Sequence, residues 1–143
     1  MAKPIIKRAL FVMQSDTINQ WHQLINDGDA TGLDNILADN VVFHSPVVHT
    51  PQEGKALTTM YLAAAFEVLA GDKFSYVREL VTDNDAVLEF NTEIDGVHIN
   101  GVDLIRWNDT GKIVDFKVMV RPLKAVTMLQ QKMFEMLQKT QGG

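Results

Sequence analysis

The chain has no cysteine among its 143 residues. Disulfide bonds, thiolate catalysis and cysteine-based zinc sites are therefore excluded. Long apolar runs are also missing, since no stretch approaches the roughly 20 residues that span a bilayer. The sequence thus predicts no membrane partner, and a cytoplasmic location is expected by default.

Blocks of like charge are absent as well. The formal net charge is −5, from 13 basic and 18 acidic residues that are spread along the chain. A nucleic-acid-binding face needs clustered lysine and arginine to displace counterions, so no nucleic-acid partner is expected. Hydrophobic residues make up 46% and charged residues 22%, which is typical of one globular domain of this length.

Three segments can be distinguished along the chain. Residues 1–14 carry three basic side chains and an apolar run at 9–13 that is too short for a secretory signal, which predicts an N-terminal arm packed on the domain. Residues 15–121 form the main domain. Residues 122–143 form an amphipathic helix, packed on the same domain, and a frayed tail. Pro122 opens this helix, whose apolar positions are Leu123, Val126, Leu129, Met133 and Met136/Leu137.

Helical patterns dominate the first half of the main domain. Ser15 or Asp16 caps a helix that Gly28 ends, and a short second helix follows at 33–37. A longer helix is predicted from about 54 to 70. Its apolar face is formed by Leu57, Met60, Tyr61, Ala64 and Val68.

Strands fill most of the second half. A short strand at 41–43 runs into Ser45 and Pro46, which marks a strand end or a sheet edge because proline cannot donate to the ladder. Four longer strands are predicted at about 73–82, 85–95, 97–107 and 112–121, separated by turn signals. This order predicts an α+β fold, in which a twisted antiparallel sheet curls around a long helix and leaves a cavity.

Asp103 is the one ionisable residue on the apolar face of the Asp95-Gly96 hairpin. This two-residue turn pairs Ile94 with Val97 and, by counting, Leu88 with Asp103. A carboxylate there loses its solvation, so it either finds a partner or keeps its proton through a raised pKa. Either state makes Asp103 a functional candidate. The alternative is a structural role, in which Asp103 caps a backbone group or pairs with a buried base.

The register of the last strand is left open by the sequence. Val114, Phe116, Val118 and Val120 share one face. The turn at 108–111 admits two registers, and only a four-residue loop pairs Phe116 with Asp103 on the same face.

Three segments resemble the NTF2-like superfamily, particularly its ketosteroid isomerase and SnoaL-like polyketide cyclase branches. The most specific is DLIRWNDTGK at 103–112, which is similar to the isomerases' strand-turn-strand of Asp-x-x-Arg-aromatic-x-x-x-Gly-basic. The others are DGD at 27–29 and LADNV at 37–41, and the ending VRPLK at 120–124 is similar to a SnoaL-like subgroup. The resemblance covers about residues 21–120 and implies a cystatin-like cone around an internal pocket.

Within that resemblance, three positions imply roles. Asp103 matches the isomerases' protonated acid, which donates a hydrogen bond in the oxyanion hole. The tyrosine that shares this role falls at Trp21, and the general-base aspartate falls at Ser45. Because two of the three positions differ, steroid isomerase activity itself is not expected. The family also commonly dimerises through the outer sheet face, which implies a homodimer.

The expected pocket combines these positions with the apolar face of the sheet. Its predicted lining residues are Trp21, Phe43, Ser45, Tyr61, Phe90, Trp107, Phe116 and Val118. His44 is an alternative base near the pocket mouth, although strand alternation places it on the opposite face from Ser45. No metal site is expected, since no acid recurs at ligand spacing around the histidines, and no cofactor is expected without a glycine-rich phosphate loop.

Three functions follow from this pocket. The first is a cofactor-independent isomerase, cyclase or dehydratase that acts on an apolar polyketide-, steroid- or terpenoid-like carbonyl compound, with Asp103 as acid or hydrogen-bond donor. The second is a binding protein that uses the same cavity without turnover. The third is a structural dimeric module whose core is filled. Whether the chain is an enzyme is therefore open at this stage.

Overall fold

The computed structural model describes the backbone of residues 5–142 and the side chains of residues 16–139. Its helices are α1 (Ile5–Asp27), α2 (Leu33–Ile36), α3 (Lys55–Leu69) and α4 (Leu123–Gly142), with a 3₁₀ turn at Ala30–Gly32. Its strands are β1 (Leu37–His44), β2 (Gln52–Glu53), β3 (Ser75–Val81), β4 (Asp85–Ile94), β5 (Val97–Trp107) and β6 (Ile113–Arg121).

The strands form one curved sheet in the order β2-β1-β6-β5-β4-β3. The β1–β6 pair is parallel and the other pairs are antiparallel. The helices cover the inward face, where the core lies, which confirms the predicted α+β cone. No helix of the described chain is both long and apolar enough to cross a bilayer.

The β4–β5 hairpin has the predicted register. Asp95 and Gly96 both adopt positive φ, 51° and 78°, as a tight two-residue turn requires. Ile94 pairs with Val97 and Leu88 pairs with Asp103. The turn therefore fixes the face on which Asp103 lies, six pairs along the ladder from Ile94–Val97.

The β5–β6 pair departs from the register that would set Phe116 opposite Asp103. The ladder shifts between Arg106 and Trp107, so that Asp103 pairs with Val118 and Ile105 pairs with Phe116. The cause is a wider turn, in which the side-chain oxygen of Asn108 accepts hydrogen bonds from the backbone N–H groups of residues 110 and 112. Phe116 stays on the inward face, but Ile113 replaces the predicted Val114 in the core.

The start of α1 differs from the prediction. The helix begins at Ile5 rather than at a cap on Ser15 or Asp16, because no glycine or proline interrupts residues 5–14. Most of the predicted arm at 1–14 therefore belongs to this helix, and residues 1–4 lie outside the described residues. Gly28, with φ of 62°, ends the helix as predicted.

The inner faces of α3 and α4 are also rotated from the predicted ones. Thr58, Leu62, Ala64 and Phe66 are the buried residues of α3, whereas Leu57 is exposed. On α4, Ala125 and Leu129 are buried while Leu123 is 80% exposed. The prediction left out Thr58 and Ala125, which are small, and also the large apolar Leu62 and Phe66, because the apolar residues of α3 lie on more than one side of the helix. Helix α4 continues to Gly142, and the last residue of the predicted frayed tail lies outside the described residues.

Candidate functional site

A cavity of about 50 Å³ lies between the inward face of the sheet and helices α1, α3 and α4. Its walls are mostly apolar and rich in aromatic rings, which come from Trp21, Phe43, Phe66, Phe74, Tyr76, Phe90 and Phe116. The rings pack on one another, with centroids 4.8 Å apart for Trp21 and Phe116 and 5.2 Å apart for Phe74 and Phe90. Apart from the indole N–H, polar groups reach this cavity only from Ser45, Tyr76 and Asp103 among the described residues.

Asp103 lies in the middle of β5 and faces this cavity. Only 6% of its surface is exposed, and its neighbours on the adjacent strands are the apolar Leu88 and Val118. Burial raises the pKa of Asp103 from its usual 3.8 to about 7, and the hydrogen bond from Tyr76 acts in the opposite direction. The carboxyl group is therefore ready to give or take a proton near neutral pH.

Tyr76 is the partner of Asp103. It comes from β3, opposite Phe90, and its hydroxyl donates to Asp103 Oδ2 at 2.5 Å. The same hydroxyl oxygen accepts from Trp21 Nε1 at 2.9 Å. Burial and the neighbouring Asp103 carboxylate raise the pKa of Tyr76 well above 10, so its hydroxyl keeps its proton. Asp103 Oδ1 has no hydrogen-bond partner among the described residues and is free for a ligand.

Tyr76 is held in place from its other side as well. The ring of His22 packs edge-on against it with centroids 5.2 Å apart, and Phe74 packs similarly at 5.0 Å. His22 Nε2 in turn pairs with Glu79 Oε1, which ties α1 to β3 beside the tyrosine. These contacts give the phenol ring a fixed position on an edge strand.

Ser45 and His44 do not form a catalytic pair. Ser45 lines the cavity just beyond the end of β1, and its hydroxyl oxygen accepts from the backbone N–H of Val47 at 3.1 Å. His44 lies on the opposite face of the sheet, where its Nε2 pairs with Asp115 Oδ1 at 2.9 Å. Strand alternation therefore separates the two side chains, and His44 does not line the cavity.

Most of the predicted pocket residues do meet around this cavity. Those that line it are Trp21, Phe43, Ser45, Phe90, Asp103, Phe116 and Val118. Tyr61 lies outside it, against Phe43 with centroids 5.7 Å apart, because the inner face of α3 is rotated. Trp107 is buried in the core four residues beyond Asp103, about 13 Å along the strand.

Several lining residues are not among the predicted ones, notably Tyr76, the aromatic Phe66 and Phe74, and the α4 residues Leu129 and Met133. Alternation along β3 would have indicated Tyr76, but the register shifts between Tyr76 and Arg78 and breaks that pattern. No signal in the sequence places α4 over the cavity, since a helix pattern shows which residues share a face but not what that face covers.

Comparisons with known proteins agree with this architecture. The SnoaL-like domain family matches residues 18–116. A steroid delta-isomerase from Pseudomonas aeruginosa is 34% identical over 91% of this chain and 95% of its own, with a TM-score of 0.86. A protein with a cystatin-like fold from Silicibacter pomeroyi is 30% identical over 87% of each chain, with a TM-score of 0.80.

A more distant structure shares the fold alone. An NTF2-like protein from Mesorhizobium loti is 18% identical over 77% of this chain and 92% of its own, with a TM-score of 0.67. None of the curated proteins matches this chain.

Proposed function

From a chain that belongs to the SnoaL-like domain family and has the NTF2-like fold, we propose an enzyme that works without a cofactor. Its reaction is the transfer of protons on a small apolar carbonyl compound. One observation carries the proposal: a buried carboxyl, Asp103, faces an aromatic cavity and has a pKa of about 7. A group with a pKa near the working pH is the most effective general acid or base.

Asp103 acts as the proton carrier. In its acid form it donates the proton from Oδ1 to the carbonyl oxygen of the substrate, while Tyr76 holds Oδ2. The resulting carboxylate then accepts a proton from the carbon next to the carbonyl. The net reaction is a keto–enol tautomerisation, which is also the first half of a double-bond migration.

Asp103 both gives and takes the proton, because no second base lines the cavity among the side chains that the structure describes. Ser45 bonds to its own loop and His44 lies behind the sheet. The similarity to a steroid delta-isomerase supports the reaction class, and the scarcity of polar groups in the lining supports an apolar substrate.

The test is proton exchange on a simple ring ketone. Wild-type protein is expected to exchange the α-protons of cyclohexanone for deuterium in D₂O, followed by proton NMR. The Asp103→Asn variant is expected to lose roughly 100-fold or more of that rate, because an amide cannot carry the proton. Thr92→Val, a change at another buried polar position of the same hairpin face, serves as the matched control and keeps the wild-type rate.

The pH dependence follows from the same pKa. Because the cycle starts with protonated Asp103, kcat/KM is expected to be flat below pH 7 and to fall about tenfold per pH unit above it. A rate that does not change between pH 5 and 9, or that is retained by Asp103→Asn, would contradict the proposal.

A binding protein is the second candidate, and the serine in place of the usual base favours it. It predicts that ring ketones bind to wild type and to Asp103→Asn while neither protein exchanges their protons.

A further inference from the structure

The cavity around Asp103 is small for a ligand site. Its volume of about 50 Å³ has room for a few water molecules. Ordinary small-molecule sites measure about 300–1,000 Å³, and an apolar cavity that holds benzene measures about 150 Å³. A ring compound therefore enters only if a lining side chain moves out of its way.

Three of the lining rings are held tightly. Phe90 and Phe116 are fully buried, and the Trp21 indole is fixed by its hydrogen bond to Tyr76. Ile25, Leu69 and Phe74 are partly exposed in the lining, and so is Met133. Its unbranched side chain has three rotatable bonds, which makes it the most adaptable group in the lining.

The helix that carries Met133 is itself fixed. Ala125 and Leu129, on the same side of α4, are buried against the domain. Lys132, next to Met133, pairs through its Nζ with Asp95 Oδ2 at 3.0 Å in the β4–β5 turn. On the α4 side of the cavity, the Met133 side chain is therefore the group that can move aside, and the space gained is about the size of that side chain.

We propose that Met133 determines the size of the ligand that the Asp103 pocket accepts and restricts it to single-ring carbonyl compounds. The inference rests on the proposed function of the pocket and names its substrate class. A fused-ring compound requires α4 itself to move, against the buried Ala125 and Leu129.

The experiment measures the affinity of three probes that differ in the number of rings. Phenol, 2-naphthol and 2-phenanthrol each present one hydroxyl to Asp103, and calorimetry gives their dissociation constants. Apolar area alone favours the larger rings. Wild type is expected to reverse that order and bind phenol most tightly.

Two changes at Met133 test its role in opposite directions. Met133→Ala is expected to tighten 2-naphthol binding by about tenfold and to change phenol binding by less than about threefold. Met133→Phe, a bulkier and stiffer side chain, is expected to weaken both. Met128→Ala is the matched control, since it truncates a methionine on the outer side of the same helix and should leave the wild-type order intact.

Other outcomes overturn the inference. Tighter binding of 2-phenanthrol than of phenol by wild type, or an effect of Met133→Ala no larger than that of Met128→Ala, removes Met133 as the size-determining residue. Failure of all three probes to bind any variant overturns this inference, and the proposed function falls with it if wild type also fails to exchange the protons of cyclohexanone. A size order that follows Met133, combined with proton exchange that survives Asp103→Asn, overturns the proposed function alone.

Discussion

At the scale of single residues, two opposing effects set the proton affinity of Asp103. Burial among Leu88, Val118 and the aromatic rings disfavours the charged form, and the Tyr76 hydrogen bond stabilises it. The balance leaves the pKa of Asp103 at about 7, so a change to either effect moves that pKa in a known direction.

Tyr76→Phe removes the hydroxyl that donates to the Asp103 carboxylate and keeps the aromatic ring. The pKa of Asp103 is expected to rise above 7, so the fall of kcat/KM begins at a higher pH than in wild type. The Trp21 indole also loses its acceptor, which costs about 1–3 kcal/mol of stability. Tyr61→Phe, the same change outside the cavity, is the control, and coincident pH profiles for Tyr76→Phe and wild type would show that Tyr76 does not act on Asp103.

Asp103 was predictable from the sequence and its partner was not. One charged residue on an apolar face stands out as soon as a reliable turn fixes the register, and Asp95-Gly96 provides that turn. Tyr76 sits on a strand whose pairing shifts within two residues, so its direction cannot be counted from any turn. The sequence therefore predicts the acid of the site, Asp103, but not Tyr76, whose hydrogen bond lowers the pKa of that acid.

At the scale of elements, the β4–β5 hairpin shapes one wall of the cavity through Gly101. Gly101 pairs with Phe90, and the Phe90 ring lies over the space where a side chain at 101 would begin. A Cβ there would overlap that ring and lie 2.8 Å from the carbonyl oxygen of Met119. The missing side chain thus determines where Phe90 can lie.

Gly101→Ala is expected to lower the free energy of unfolding by about 1–3 kcal/mol, measured by urea denaturation, because Phe90 must leave its rotamer and the backbone blocks the other side. The displaced ring also narrows the cavity, so phenol binding should weaken. Gly71→Ala is the control, because a Cβ at that position meets nothing within 4 Å. Equal stability of the two variants would contradict this view of the hairpin.

Strands were predicted more accurately than helix faces, for a physical reason. Turn residues mark both ends of β3 to β6, so their limits follow from local chemistry. The buried faces of α3 and α4 include small residues such as Thr58 and Ala125, which an apolar pattern does not mark. Their burial depends on what lies opposite, which the local pattern does not contain.

At the scale of the whole molecule, elements from all along the chain surround the cavity and shield Asp103 from water. Helices α1, α3 and α4 and five of the strands contribute to the lining, and α4 lies beyond the segment 18–116 that matches the family. The homodimer through the outer sheet face and the cytoplasmic location stay predictions.

This separation from water has a cost that depends on pH. Below pH 3.8 Asp103 is protonated in both the folded and the unfolded chain, and its burial carries no ionisation penalty. Between pH 3.8 and about 7 the unfolded chain loses the proton while the folded one keeps it, so stability falls as the pH rises. Above pH 7 both are ionised and the cost is constant, at roughly 4 kcal/mol.

The most direct test of the buried carboxyl is the free energy of unfolding of wild type and of Asp103→Asn, measured by urea denaturation from pH 4 to pH 8. Asparagine keeps a similar shape and an acceptor for Tyr76 but does not ionise in this range. Wild type is expected to lose roughly 4 kcal/mol relative to the variant between pH 4 and pH 8, with the loss levelling off above pH 7. Two curves that run parallel over the whole range would show that Asp103 has an ordinary pKa, and the account of the pocket would be wrong.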